Sequence, residues 1–114
     1  MPSIKRHVLI AKTFDRKGRQ ISVGLNSYTK THPLQLHFAT LVGEPYKDKL
    51  HAEIHALLRA GDKQVHTISV ERYHTNGDSA FARPCASCML AIKNFGVKFI
   101  RYTTSEGVEV EKVE

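Results

Sequence analysis

The sequence predicts an α/β sandwich of two or three layers, built on a mixed sheet of about five strands with helices packed against it. Three observations carry that expectation. Strand-like runs rich in β-branched residues recur at 6–14, 19–25 and 65–73. Two segments of good helix formers, 51–60 and 84–95, are interleaved with them, and two more strand-like runs close the chain at 97–104 and 108–113. The order reads β-β-(loop)-α-β-α-β-β, and no linker, repeat or low-complexity tract divides the 114 residues, so one domain spanning 1–114 is expected.

Each element has a local reason. The first two strands flank Asp15-Arg16-Lys17-Gly18, a hairpin turn with glycine where a positive φ is favoured. Residues 27–49 hold Pro33, Pro45 and the apolar cluster Leu34, Leu36, Phe38 and Leu41, whose spacing leaves a short strand and a short helix equally open. In 51–60, Ile54, Leu57 and Leu58 share one helical face and Gly61 supplies the stop. After the strand at 65–73, residues 74–83 read as a loop around Asn76-Gly77-Asp78. Pro84, favoured in a first helical turn, opens a helix that ends near Phe95 and Gly96. Ser105-Glu106-Gly107 then turns the chain into a charged edge strand, VEVEKV.

Composition narrows the function classes. With 41% hydrophobic and 25% charged residues, the balance is that of a globular domain rather than a disordered one. The longest purely apolar run, Val8 to Ala11, is too short for a membrane span or a secretory signal core, so a cytoplasmic protein without membrane contact is expected. A domain this small gains from a bound metal or a partner subunit. Charge is distributed unevenly: residues 1–50 carry nine Lys/Arg against three Asp/Glu, whereas residues 51–114 carry eight of each. That asymmetry suggests an anionic ligand approaching the N-terminal half, against the simpler reading of a solvated basic face.

The only two cysteines, Cys85 and Cys88, are three positions apart at the expected start of the second helix, where both side chains can reach one ion. Free backbone N–H groups at that helix end favour thiolates over thiols. His51 and Glu53 open the other helix, and both helices follow connections from the same edge of the sheet. A His/Cys/Cys set leaves the fourth tetrahedral position to water, which is the arrangement of a catalytic rather than a structural zinc site. Glu53, two residues beyond the histidine, is a poor fourth ligand but well placed to take a proton from that water. A thioredoxin-like reading of C-x-x-C would need a later proline, and a two-Cys, two-His finger would need later histidines; neither residue type follows Cys88.

His51-Ala52-Glu53-Ile54 with Ala56-Leu57, Pro84-Cys85-x-x-Cys88 with Ala91-Ile92, and Gly96-Val97-Lys98 together resemble the cytidine and deoxycytidylate deaminase superfamily, over Val8 to Tyr102. Gly24-x-Asn26 at the end of the second strand is similar to the same family. The resemblance implies a cytidine deaminase-like fold, a Zn2+ cofactor on His51, Cys85 and Cys88, and proton shuttling by Glu53 as water replaces a ring amine. It also implies a homo-oligomer. Histidine as first ligand resembles the deoxycytidylate and tRNA adenosine branches, yet the tight turn before the last strand lacks the helix those branches insert. Unlike free-cytidine deaminases, the chain has Ser27 and Tyr28 after Asn26, and Met89 after the second cysteine.

Candidate substrate contacts are Asn26, Ala52, Lys30 and Arg83, and Lys30, His32 and Arg83 are candidates to meet a phosphate. Lys30 is equally well explained as part of a solvated loop. Tyr28 and Phe81 are candidates for stacking on a base, with core packing the commoner fate. His55 reads as a helix residue near the pocket, His74 as a loop residue, and His7, His37 and His66 as surface or strand-face residues. The first expectation is deamination of a cytosine-type small-molecule nucleoside or nucleotide. The alternatives are a deaminase acting on a base in single-stranded nucleic acid or tRNA, and a zinc-stabilised binding module without activity.

Overall fold

The computed structural model describes residues 8–113. His7 and the first residues of the expected 6–14 strand lie outside that range. Six strands form one sheet: β1 (Val8–Phe14), β2 (Gln20–Leu25), β3 (Thr67–Tyr73), β4 (Ser79–Ala80), β5 (Phe99–Thr104) and β6 (Gly107–Lys112). Their order is β2-β1-β3-β5-β6, with β4 paired to β3. Pairing is antiparallel except between β3 and β5, where Thr67 to Val70 run parallel to Phe99 to Tyr102. The sheet is therefore mixed, as expected, and the closing β5–β6 hairpin has no helix within it.

Three helices complete the fold: α1 (Pro33–Leu41), α2 (Ala52–Arg59) and α3 (Ala86–Asn94). Ile54 and Leu57 of α2 and Ala91 and Ile92 of α3 join Ala11, Ile68, Val70, Ile100 and Tyr102 of the sheet in one buried cluster. On the other side of the same strands, Lys12, Glu71 and Arg101 alternate with these core residues and remain partly or fully exposed. Among the described residues the sandwich thus has two layers. None of these helices is long and apolar enough to cross a membrane.

Three elements differ from the sequence reading. Residues 33–41, left open, form a helix: His32 caps it by accepting from Leu34 N–H at 3.0 Å, and Pro33 occupies the first turn. Its inward face is Gln35, Phe38 and Ala39, while Leu36 and Leu41 are 45% and 60% exposed, so the apolar pattern alone pointed nowhere. Within the expected 74–83 loop, Asn76 Oδ1 accepts from Asp78 N–H at 3.0 Å and Gly77 adopts φ +92°, turning the chain back into β4. Finally, α3 begins at Ala86 rather than Pro84, and Cys85 is its N-cap.

Gly24 of β2 fixes how the first helix of the site lies on the sheet. A Cβ there would sit 2.3 Å from the Ala52 carbonyl oxygen and 2.4 Å from the Ala56 nitrogen. Only glycine lets β2 approach α2 this closely, and Ser22 uses the proximity to donate to the Ala56 carbonyl at 2.7 Å. Thr13 shares that hydroxyl at 2.6 Å from β1. Gly24→Ala must push α2 off the sheet, so a loss of about 3 kcal/mol or more is expected in denaturant unfolding of the variant.

Candidate metal centre and active site

The two helices of the motif start side by side. His51 is the N-cap of α2 and Cys85 the N-cap of α3; neither side chain caps its own helix, so both point away into the space between. Cys88 lies one turn into α3 and is fully buried. His51 Nδ1 is 3.3 Å from Cys88 Sγ and 3.5 Å from Cys85 Sγ. The three donor atoms all lie within 4.8 Å of one another. One nitrogen and two sulfurs at that separation match the donor set and the size of a tetrahedral zinc site with one position left over.

The fourth residue of the motif is a buried carboxyl beside these donors. Glu53 is 3% exposed, and its Oε1 is buried without a hydrogen-bond partner. A native fold rarely leaves a buried polar atom unsatisfied, so this oxygen awaits a ligand. Burial pushes the Glu53 carboxyl above its ordinary range, so it holds a proton more firmly than an exposed glutamic acid does.

The ligands share protons unequally when no metal neutralises them. The Cys88 thiol donates toward Cys85, which with His51 and Ser87 pulls the Cys85 thiol down to about 3. The same hydrogen bond, together with burial, holds Cys88 well above the ordinary thiol range. The thiolate beside His51 raises its imidazole. Metal uptake must therefore expel protons from Cys88 and His51, and affinity rises with pH through their titration.

Two supports were not read from the sequence. Gln35 of α1, completely buried, accepts from the His51 backbone N–H at 3.1 Å and donates to the Lys47 carbonyl at 3.4 Å. It ties the entry of α2 to a third element. A glutamine between leucines carries no motif, and its only signal is that it occupies the inward face once α1 is known to be a helix. Thr103 of β5 is the second: its hydroxyl accepts from Arg72 N–H at 3.0 Å and donates to the Ala80 carbonyl at 2.8 Å. Ala82 N–H also donates to the Thr103 carbonyl at 2.9 Å, so the strap that delivers Pro84 and Cys85 is fastened to β5.

The other candidates fall in different places. Asn26 follows β2; the next residue, Ser27, donates its N–H to the Leu50 carbonyl at 2.8 Å, so Asn26 adjoins the segment that enters His51. Lys30 is exposed in the turn that Ser27 Oγ organises at 2.8 Å. Ala52 is buried with its methyl in the core, leaving backbone as what it can offer a ligand. Arg83 is drawn to β6, where its Nε lies 3.0 and 3.3 Å from the two Glu111 carboxyl oxygens. His55 does not face the ligands: its Nδ1 meets the Leu25 backbone at 3.2 Å and 3.3 Å. His74 lies in the exposed turn before β4. Tyr28 and Phe81 are 47% and 59% exposed rather than core residues.

Comparison with solved structures places the architecture. The chain superposes on the cytidine deaminase from Mycobacterium leprae with a TM-score of 0.52 and 21% identity, covering 92% of this chain and 75% of that one. No family model matches the sequence, and no curated protein matches it. The fold is thus cytidine deaminase-like.

Two outcomes follow from this geometry. Gln35→Leu, which keeps the volume but frees the His51 backbone, is expected to weaken zinc binding about 10- to 100-fold in a chelator competition. In metal-free protein, iodoacetamide is expected to label Cys85 ahead of Cys88 at a rate nearly flat from pH 6 to 8, read by peptide mass mapping, because Cys85 is already thiolate there.

Proposed function

We propose that this protein is a zinc-dependent hydrolytic deaminase whose substrate is a cytosine-type base in a nucleoside or nucleotide. The observation that carries the reading is the buried, unpartnered Glu53 Oε1 next to three converging donor atoms. His51, Cys85 and Cys88 would hold the ion, and zinc supplies a Lewis acid that makes water nucleophilic at neutral pH. Glu53 passes the proton that water loses on adding to the ring carbon to the adjacent ring nitrogen, then moves the new hydroxyl's proton to the amine, which leaves as ammonia as the carbonyl forms. Burial around Glu53 and Cys88 excludes bulk water from the proton path. Asn26 makes no side-chain hydrogen bond among the described residues and is offered here as a contact to sugar or base, with Lys30 nearby for a phosphate.

A second reading has its own support. Tyr28, Tyr46 and Phe81, 47%, 74% and 59% exposed, belong to three segments that flank His51 and Cys85 in the chain. Exposed aromatics interspersed with lysines suit the bases of a single strand. A purely structural zinc module is less well supported, since it has no use for an unligated buried carboxyl beside the metal.

Glu53→Gln is expected to retain fold and stoichiometric zinc while turnover falls roughly 100- to 10,000-fold, measured as ammonia release from a panel of nucleosides, nucleotides and oligonucleotides. Undiminished turnover removes Glu53 from the mechanism. Steep loss of activity on oligonucleotides with added salt, beside salt-tolerant turnover of mononucleotides, distinguishes the two substrate readings.

A further inference from the structure

The surplus positive charge does not gather where the metal ligands are. Of the nine basic residues in 1–50, Lys5 and Arg6 lie outside the described residues. Lys12 pairs with Glu71, Arg19 with Asp15, Lys47 with Glu44 and Lys49 with Asp48. Among the described residues Arg16, Lys17 and Lys30 have no ion pair, and the first two stand at the tip of the β1–β2 hairpin. The hairpin is at the far end of the sheet from the metal group. The metal ligands follow the ends of β2 and β4, near the start of β1, whereas the hairpin follows the end of β1. Seven residues of strand, roughly 20 Å, separate the two ends.

Two adjoining cavities occupy this far end. One, of about 690 Å³, is lined by Arg16, Gln64, His66 and Lys98 among others. The second, of about 360 Å³, shares Arg16 and His66 with it and extends to Arg101. The one carboxylate in their walls is already engaged. Asp15 Oδ1 accepts from the Lys17 and Arg19 backbone N–H groups, both at 2.9 Å, and Oδ2 takes the Arg19 guanidinium at 2.8 Å. These bonds stiffen the turn and leave Arg16 and Lys17 exposed. On the opposite wall, Lys98 and Phe99 both donate backbone N–H to the His66 carbonyl, at 2.9 and 3.2 Å, which fixes Lys98 against His66. The Glu71 carboxyl beyond Arg101 is taken by Lys12 and Tyr73. Three cations from two segments, the hairpin tip and the start of β5, thus line this trough of two adjoining cavities with no free carboxylate among its described walls.

We propose that this trough is an anion site, separate from the metal centre, for a ligand carrying two or more linked phosphates. Arg16 offers a planar fork suited to a phosphate, Lys98 a point charge, and Arg101 a second fork further along. Cations spread over two adjoining cavities match successive phosphates better than a single one. The ligand is read through its phosphates, so the two sources of that chemistry are a free polyphosphate and a polynucleotide backbone.

The test uses zinc-loaded protein and two probes, inorganic tripolyphosphate and oligothymidylate, which has no amine to remove. Titration calorimetry is expected to detect tripolyphosphate binding that weakens with salt, and Arg16→Gln/Lys98→Gln is expected to weaken it by at least about tenfold, the loss of two charge-assisted contacts. Lys47→Gln/Lys49→Gln removes the same charge at the metal end and is expected to leave it unchanged. Oligothymidylate bound through the same two residues, with a salt slope of roughly 0.7 per phosphate, assigns the site to a strand. Tripolyphosphate bound without oligothymidylate assigns it to a free polyphosphate. Absence of binding by both probes, or equal loss in the two double variants, overturns the proposal. Because it does not depend on deamination, an inactive but anion-binding protein would refute the proposed function and leave this site standing.

Discussion

The structure turns on the meeting of two helix starts over a buried carboxyl group. His51 and Cys85 are both N-caps, and Cys88 is one turn further in, so three donor atoms converge within 4.8 Å where two backbone dipoles present their positive ends. Hydrogen bonds from the Cys88 thiol, from His51 and Ser87, and from the Cys88 backbone hold the Cys85 thiol far below the ordinary range. Glu53 is carried into the same space by α2 with an oxygen that nothing satisfies. Separately, each feature costs stability. Together they describe a polar pocket built around something that arrives from solution.

Convergence of this kind is a property of the sheet. β2 and β3 are parallel to each other through β1, and each feeds a connection that leaves the same edge. The connection after β2 is held by Ser27 against Leu50, and the one after β3 by Thr103 against the strap at Ala80 to Ala82. Gly24 sets the distance between β2 and α2, and Gln35 fixes the backbone of His51 itself. The donor atoms are thus positioned by residues that contribute no chemistry, which is how a small domain maintains a site without flexible loops.

Much of this was legible in the residues, and the reasons are specific. Strands β1, β2, β3, β5 and β6 carried alternating or β-branched patterns, and α2 and α3 carried stop glycines, so the mixed sheet and the site helices could be placed. His51, Glu53, Cys85 and Cys88 were legible because spacing within each pair fixes shared geometry. Helix α1 was not, because it buries a glutamine and exposes leucines. Gln35 and Thr103 were equally silent, since a polar residue that satisfies backbone from another element has no local signature. Arg83 looked like a phosphate ligand from its place before Pro84, but Glu111 of β6, distant in sequence, holds it. The charge surplus was legible as a total, but which cations stay unpaired was not, because the four pairings with acids are set by the folded geometry.

X-ray absorption at the zinc edge of the metal-loaded protein addresses the central claim most directly. The account predicts a four-coordinate shell with two sulfurs at about 2.3 Å and two lighter atoms, nitrogen and oxygen, at about 2.0–2.1 Å. A shell containing only light atoms, one with four sulfurs contributed by two chains, or failure to take up zinc at all would contradict it.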